Sequence, residues 1–367
     1  MTKTAVPVTG LTLAGCRGRQ QRLIERLQRE RIDRALVFDR RHVYYLSGYW
    51  SASYHTPLMI LAHDGSSHLV LPDQTDSSHL AADSVSVYES HHLGTLVDDQ
   101  LAAALEPVAA VLTSPGTIGT DLPAMTAVVE IPFMNVSPIF LELRRAKDED
   151  EIALIRAAIH SCEAAYAHAA SIVRPGVREI DVFAEMQAAA VKELGEPIGE
   201  LGNDFQAGSP GGPPRSRAIE AGELMPLDVS VSVRGYRCDL CRTFAVGGEP
   251  TPDQCEAVKL VEDALEYVEQ NAHIGSSCRQ LYEDVRQQLD GQHGWRFFHH
   301  LGHGIGLSPH EAPRLNPHWN DFLAVGDVFT VEPGLYDESL RAGVRIEHNY
   351  WMTPNGLHRL SSYPTSL

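Results

Sequence analysis

The sequence predicts an α/β domain over residues 17–145 followed by an α+β domain over 146–367, with a flexible start at 1–16. Three observations predict this division. A chain of 367 residues exceeds what one hydrophobic core ordinarily serves. Up to about residue 140, short apolar runs bounded by Gly, Asp and Ser alternate with helical patterns. The composition then changes at Leu143-Arg144-Arg145-Ala146-Lys147-Asp148-Glu149-Asp150-Glu151, a charged run that leads into a long amphipathic pattern.

Taken in order, residues 17–31 read as an amphipathic helix, with Leu23, Ile24 and Leu27 apolar between charged neighbours. The runs at 35–38, 42–46, 57–62 and 67–71 read as strands, and 96–105 and 121–129 as helices among them. Beyond the charged run, a helix over 152–172 is ended by Arg174-Pro175-Gly176, and further helices are expected at 180–194, 252–271 and 277–289. Strands are expected at 223–233, 238–246, 327–332 and 344–352. The stretch 199–214 is rich in Gly and Pro without periodicity, so it is a loop, equally suited by composition to a linker or to a wall of a site.

Thirty basic against 48 acidic residues give a formal net charge of -18, which disfavours nucleic-acid or anionic-membrane partners. The start of the chain lacks a signal-peptide pattern, and no apolar stretch approaches the roughly 20 residues of a membrane span. The expectation is a soluble, cytoplasmic protein. Six dispersed cysteines point to reduced thiols, and Cys238 and Cys241 form a C-x-x-C pair that no second pair or histidine cluster completes into a zinc site.

Four carboxylates stand out because each lies in a β-type apolar stretch: Asp228, Asp239, Glu332 and Glu347. Burying such a group costs several kcal/mol unless a cation faces it. Arg237, Arg242 and Arg345 could pair with them bidentately. That reading leaves His303 unexplained, in His299-His300-Leu301-Gly302-His303-Gly304-Ile305-Gly306, where glycines would let the backbone approach a bound species closely. Four carboxylates and one imidazole suit two divalent ions, manganese first, with cobalt, iron or zinc as the others. Two such ions roughly 3.5 to 4 Å apart can hold a hydroxide between them and stabilise an oxyanion, which suits hydrolysis of an amide-like bond.

These residues resemble the pita-bread metallopeptidase family of Xaa-Pro aminopeptidases, prolidases and methionine aminopeptidases. Gly222-Glu223-Leu224-Met225-Pro226-Leu227-Asp228 parallels G-D-x-V-x-x-D, and Gly235-Tyr236-Arg237-Cys238-Asp239-Leu240-Cys241-Arg242-Thr243-Phe244 parallels G-Y-x-S-D-x-T-R-T-F, with the two aspartates eleven apart. His303 falls in H-x-x-x-H-G-x-G, Glu332 in T-x-E-P-G-x-Y and Glu347 in R-x-E.

The resemblance implies a creatinase-type N-terminal domain and a pita-bread catalytic domain, and a small peptide substrate with an Xaa-Pro bond. It implies that Asp228, Asp239, His303, Glu332 and Glu347 hold the metals, Asp239 and Glu347 bridging, and that Glu332 also shuttles a proton. His310 would steady the tetrahedral intermediate, His299 would line the substrate pocket, and Arg345, next to the last ligand, would tune a carboxylate by ion pairing. A homodimer is implied as well. Phe205, Trp319 and Phe322 are candidate pocket walls.

Two positions depart from the pattern. Gly211, seventeen residues before Asp228, stands where these peptidases usually carry a histidine, and His300 stands where glycine is common. The first departure keeps open a related hydrolase or lyase of a small non-peptide substrate, as in creatinase or ectoine hydrolase. A non-catalytic binding module is the third reading.

Overall fold

The Thr12 hydroxyl accepts a hydrogen bond from the Gly15 amide and so starts α1 (Leu13–Glu30), the first helix in a computed structural model that describes residues 10–51, 53–72, 77–122 and 131–366. The cap carries the helix into the stretch expected to be flexible, and Cys16 is buried there. After α1 come β1 (Arg34–Val37), α2 (Arg40–Ser47), β2 (Leu58–Ala62), β3 (Ser67–Pro72) and β4 (Ser84–Tyr88). They are followed by α3 (Gln100–Leu105), α4 (Ala109–Thr113), β5 (Ile118–Thr120), β6 (Phe133–Asn135) and α5 (Ser137–Leu143). The strands form one mixed sheet in the order β4-β3-β2-β1-β5-β6, β1 running antiparallel to β2 and parallel to β5.

Two expectations for this unit are corrected. Residues 42–46, expected as a strand, lie in α2, where Asp39 caps the Arg41 amide and Gly48 closes the helix at φ +79°. Residues 42–47 are all buried, and a run buried all round has no polar beat from which to tell helix from strand. The helix expected at 96–105 begins only at Gln100, where Asp99 caps it. Of the helix expected at 121–129, residues 123–129 lie outside the described residues.

The chain divides into two compact units between Arg144 and Arg145. In the second, a capping box of Asp148 and Glu151 starts α6 (Glu149–Ile172), and α7 (Glu179–Leu194) ends on Gly195. Thr251 and Gln254 box the start of α8 (Pro252–Asn271), and Ser277 caps α9 (Cys278–Leu289). The strands are β7 (Leu224–Val229), β8 (Ser232–Val233), β9 (Tyr236–Arg237), β10 (Leu240–Ala245), β11 (Gly302–Gly304) and β12 (Glu311–Leu315). Then come β13 (Val328–Val331), β14 (Gly334–Asp337), β15 (Ala342–Arg345), β16 (His348–Thr353) and β17 (Gly356–Arg359). An antiparallel sheet β12-β11-β13-β16-β17 is accompanied by the antiparallel pairs β7/β10 and β14/β15. Val261, Val268, Leu281 and Val285 from α8 and α9 share one core with Phe329, Val331, Val344 and Met352.

The four strands expected in this unit are all broken or shortened. The stretch 344–352 divides into β15 and β16 around Ile346 and Glu347, and β13 stops one residue short of Glu332. Asp239 likewise precedes β10, and of the four acids Asp228 alone lies within a strand. A carboxylate at a strand end can turn inward without breaking the ladder. No helix among the described residues is long and apolar enough to cross a membrane.

Candidate metal centre

Each of the five expected ligands is held by backbone contacts that the local sequence makes possible. β7 and β10 pair with Asp228 opposite Cys241, and the Glu347 amide donates to the Cys241 carbonyl at 3.1 Å. The Asp239 amide donates to Asn349 Oδ1 at 3.1 Å, and the Asn349 side-chain amide donates back to the Asp239 carbonyl. His303 sits on β11 between two glycines. A Cβ on Gly302 would lie 2.0 Å from the Thr330 carbonyl oxygen, and one on Gly304 would lie 2.1 Å from that of Ala312. These glycines therefore admit the neighbouring strands β13 and β12, which corrects the expectation that they make room for a bound species.

The five side chains come together. Ligand atoms of Asp239, His303 and Glu347 lie within 4.8 Å of one another, as do those of Asp228, Glu332 and Glu347, and those of His300, His303 and Glu332. His303 Nδ1–H donates to the Gly304 carbonyl at 3.1 Å, so the Nε2 lone pair faces the acids, 3.4 Å from Glu332 Oε1 and 3.9 Å from Asp239 Oδ2. Glu347 is 1 % exposed, and neither of its carboxylate oxygens has a hydrogen-bond partner.

Burial, followed by the charges of Glu332, Asp239 and Asp228, pushes the Glu347 carboxyl well above the usual carboxylate range. Burial and the charges of Asp228 and Glu332 do the same for Asp239. Burial pushes Asp228 up to about 6 against the opposing pull of Arg345. For Glu332 burial is outweighed by the hydrogen bond and charge of His300, and its carboxyl is held low.

The three arginines that could have neutralised this cluster are mostly occupied elsewhere. Arg237 pairs with Glu200 at 2.7 Å, and Arg242 donates to the carbonyls of Cys241, Glu347 and Tyr363. Arg345 Nη2 reaches Asp228 Oδ2 at 2.7 Å and Asp204 Oδ2 at 2.5 Å. Among the described residues no arginine or lysine pairs with Asp239, Glu332 or Glu347. A buried carboxylate with both oxygens unmatched, beside an imidazole whose lone pair faces it, fits a divalent cation. No cysteine joins a donor cluster among the described residues, and burial keeps Cys241 a thiol by pushing it up to about 12.

The remaining candidates fall around this cluster. The His310 ring is exposed and stacks on His303, with centroids 3.8 Å apart at 12°. His299 Nδ1–H donates to the His300 carbonyl at 2.7 Å, and the Tyr336 hydroxyl donates to His299 Nε2 at 2.9 Å. Both ring nitrogens are thereby engaged within the protein, so His299 holds Tyr336 instead of offering a free nitrogen. Phe205 is fully buried edge-on to Phe183 at 4.9 Å, whereas Trp319 and Phe322 are exposed. A Cβ on Gly211 would come within 2.6 Å of the Asp204 carboxylate, which also accepts the Gly212 amide at 2.7 Å.

Sequence reasoning missed Thr330, Asn349 and Asp204. The Thr330 hydroxyl donates to Glu332 Oε1 at 3.2 Å and accepts the His303 amide at 3.2 Å. Thr330 and Asn349 each stand two residues from an acid, the spacing that keeps side chains on one face of an extended chain, and that period was the available signal. Asp204 lies in an aperiodic loop and gave none.

Residues 153–354 match metallopeptidase family M24, and residues 19–145 match the creatinase/prolidase N-terminal domain. An Xaa-Pro dipeptidase of Pyrococcus horikoshii is 27% identical over 351 residues, covering 93% of this chain and 96% of that protein. An Xaa-Pro dipeptidase of Pyrococcus furiosus is 30% identical over 236 residues, covering 62% of this chain and 66% of that protein. The crystal structure of the prolidase from Pyrococcus horikoshii superposes with a TM-score of 0.80 at 24% identity, covering 95% of this chain and 99% of that one.

Proposed function

Because the chain belongs to metallopeptidase family M24 and is a peptidase, we propose that it cleaves Xaa-Pro bonds at two divalent cations held by Asp228, Asp239, His303, Glu332 and Glu347. Its fold is a creatinase-type α/β N-terminal domain followed by an α+β pita-bread domain. The observation that carries the reading is Glu347, buried, without a partner on either oxygen, and common to two donor clusters. That shared place supports Glu347 as a residue that would serve both cations, and the family resemblance adds Asp239 as the second. When bound, the cations supply Lewis-acid charge and acidify water.

The chain's own residues do the rest. His300 and Thr330 both contact Glu332 Oε1, which supports Oε2 as the oxygen that would carry the proton from water to the leaving nitrogen. A prolyl nitrogen has no N–H before cleavage, so this delivery to nitrogen matters more than recognition of the amide as a donor. Partial desolvation of the ring stacked on His303, followed by the charge of His300, lowers the pKa of His310, whose neutral ring can donate its N–H to a developing oxyanion. His299, tied to Tyr336, positions that tyrosine beside Arg345.

Asp204 occupying the space beside Gly211 favours a second reading, a hydrolase or lyase of a small zwitterion on the same centre. Assaying Xaa-Pro dipeptides, longer Xaa-Pro peptides and small zwitterions with enzyme loaded with manganese separates the two. Turnover confined to the zwitterions removes the Xaa-Pro reading. The proposal extends to manganese as the preferred ion, and to a cytoplasmic homodimer whose mass light scattering would report.

A further inference from the structure

His300 is not among the five expected ligands, yet its donor atom lies within the same cluster. His300 Nε2 is 3.0 Å from Glu332 Oε1, and it groups with His303 and Glu332 inside 4.8 Å. Two donors each about 2.1 Å from one ion stand roughly 3.0 Å apart at a right angle and roughly 3.4 Å apart at a tetrahedral angle. The observed separations, 3.0 Å from His300 Nε2 to Glu332 Oε1 and 3.4 Å from His303 Nε2 to the same oxygen, match that pair of values. The His300 and His303 rings stand at 81° with centroids 5.3 Å apart, and their donor atoms lie within 4.8 Å of each other and of the Glu332 carboxylate.

We propose that His300 is a sixth protein ligand, completing with His303 and Glu332 a two-nitrogen binding corner for one of the two cations. The inference rests on the metal centre proposed above. Without a cation, His300 Nε2–H donates to Glu332; with one, the nitrogen exchanges its proton for the ion. Two imidazoles at one position raise its affinity for cobalt, iron or zinc relative to the all-carboxylate end, which keeps its hard-ion preference. His300 is accordingly a specificity-determining residue for the metal, and the two positions differ in which ion they prefer.

The test uses the full chain loaded with cobalt(II). Proton NMR of that form should show two solvent-exchangeable imidazole N–H signals shifted by the paramagnetic ion in the wild type, and one in His300→Ala. In visible-absorption titrations His300→Ala should lose roughly a hundredfold in affinity for one cobalt and keep the other. His300→Gln, which retains a hydrogen-bond donor toward Glu332, should not recover the loss. Circular dichroism shows whether each variant is folded, and the wild-type NMR signal count requires no variant. A single shifted imidazole in the wild type, or full recovery by His300→Gln, overturns the ligand and leaves the five-ligand centre standing. A wild type that takes up no cobalt overturns the centre itself, and His300 with it.

Discussion

Arg345 Nη2 lies 2.7 Å from Asp228 Oδ2, the sole guanidinium contact to the side-chain carboxylate of any of the four site acids among the described residues. The same nitrogen also holds Asp204 Oδ2, so one buried cation serves two carboxylates from different segments. Asp204 is next to Asp228 in space as well, since the Asp228 amide donates to the Asp204 carbonyl at 3.0 Å. The Gly-rich loop is therefore fastened to the strand that carries a candidate ligand.

Asp204→Ala should leave Arg345 half-paired and the Gly212 amide without its acceptor. The expected cost is about 1–3 kcal/mol of stability, read by denaturant unfolding, together with weaker metal binding from a less fixed Asp228. Asp204→Asn keeps an acceptor and should cost less. Unchanged unfolding in both variants would show that the loop is held by other contacts.

Asp239→Ala and His303→Ala should each abolish metal uptake and activity together, because each removes a donor from a cluster whose members lie within 4.8 Å of one another. Elemental analysis of the purified variants checks this. Full stoichiometric metal in either one would remove that residue from the ligand set.

His310→Ala should lower turnover by roughly a hundredfold, the scale of losing one oxyanion donor, with metal content unchanged. His310 stacks face to face on His303 without offering a nitrogen to any donor cluster among the described residues. Metal lost from this variant would reassign His310 to holding the His303 ring.

The site acids were legible in the sequence because an acid among apolar residues is conspicuous whatever the exact strand boundaries are. Glu332 and Glu347 were found inside runs expected as continuous strands, although the chain breaks beside each. The role of the glycines beside His303 was not legible, since a local pattern does not say whether a ligand or a neighbouring strand needs the space. Asp204 was hidden for a related reason: its partner Arg345 is 141 residues away, and a loop has no period to reveal which side faces inward. The helix at Arg40–Ser47 was missed because complete burial erases amphipathicity.

Gly302→Ala tests the strand-spacing account. The new Cβ would meet the Thr330 carbonyl oxygen at 2.0 Å, a backbone atom that cannot swing aside. β11 and β13 must part, at a cost of roughly 1–3 kcal/mol, and His303 would be carried away from Glu332. A lowered melting temperature with weakened metal binding is expected. Wild-type stability would mean the two strands have slack at this point.

Glu347→Gln should stabilise the protein stripped of metal, and do so only above the ordinary carboxylate range. The Glu347 carboxyl is held well above its usual value by burial and by the charges of Glu332, Asp239 and Asp228. A group raised in this way binds its proton more tightly folded than unfolded, so the stability it contributes is complete below the unfolded value of about 4.3 and is lost as pH rises toward the folded one. Asp239 acts in the same direction, and Asp228, pushed up to about 6, adds its loss within that window. An amide carries no charge to desolvate, so melting curves of wild type and variant in chelator should coincide near about pH 4 and separate by several degrees near about pH 7, the variant higher. Adding manganese near about pH 7 should reverse the order, since the cation supplies the positive charge that the carboxylate lacks and the amide cannot use. A variant less stable than wild type in chelator near about pH 7 would mean that Glu347 is already neutralised within the fold, and the case for a cation beside it would fall.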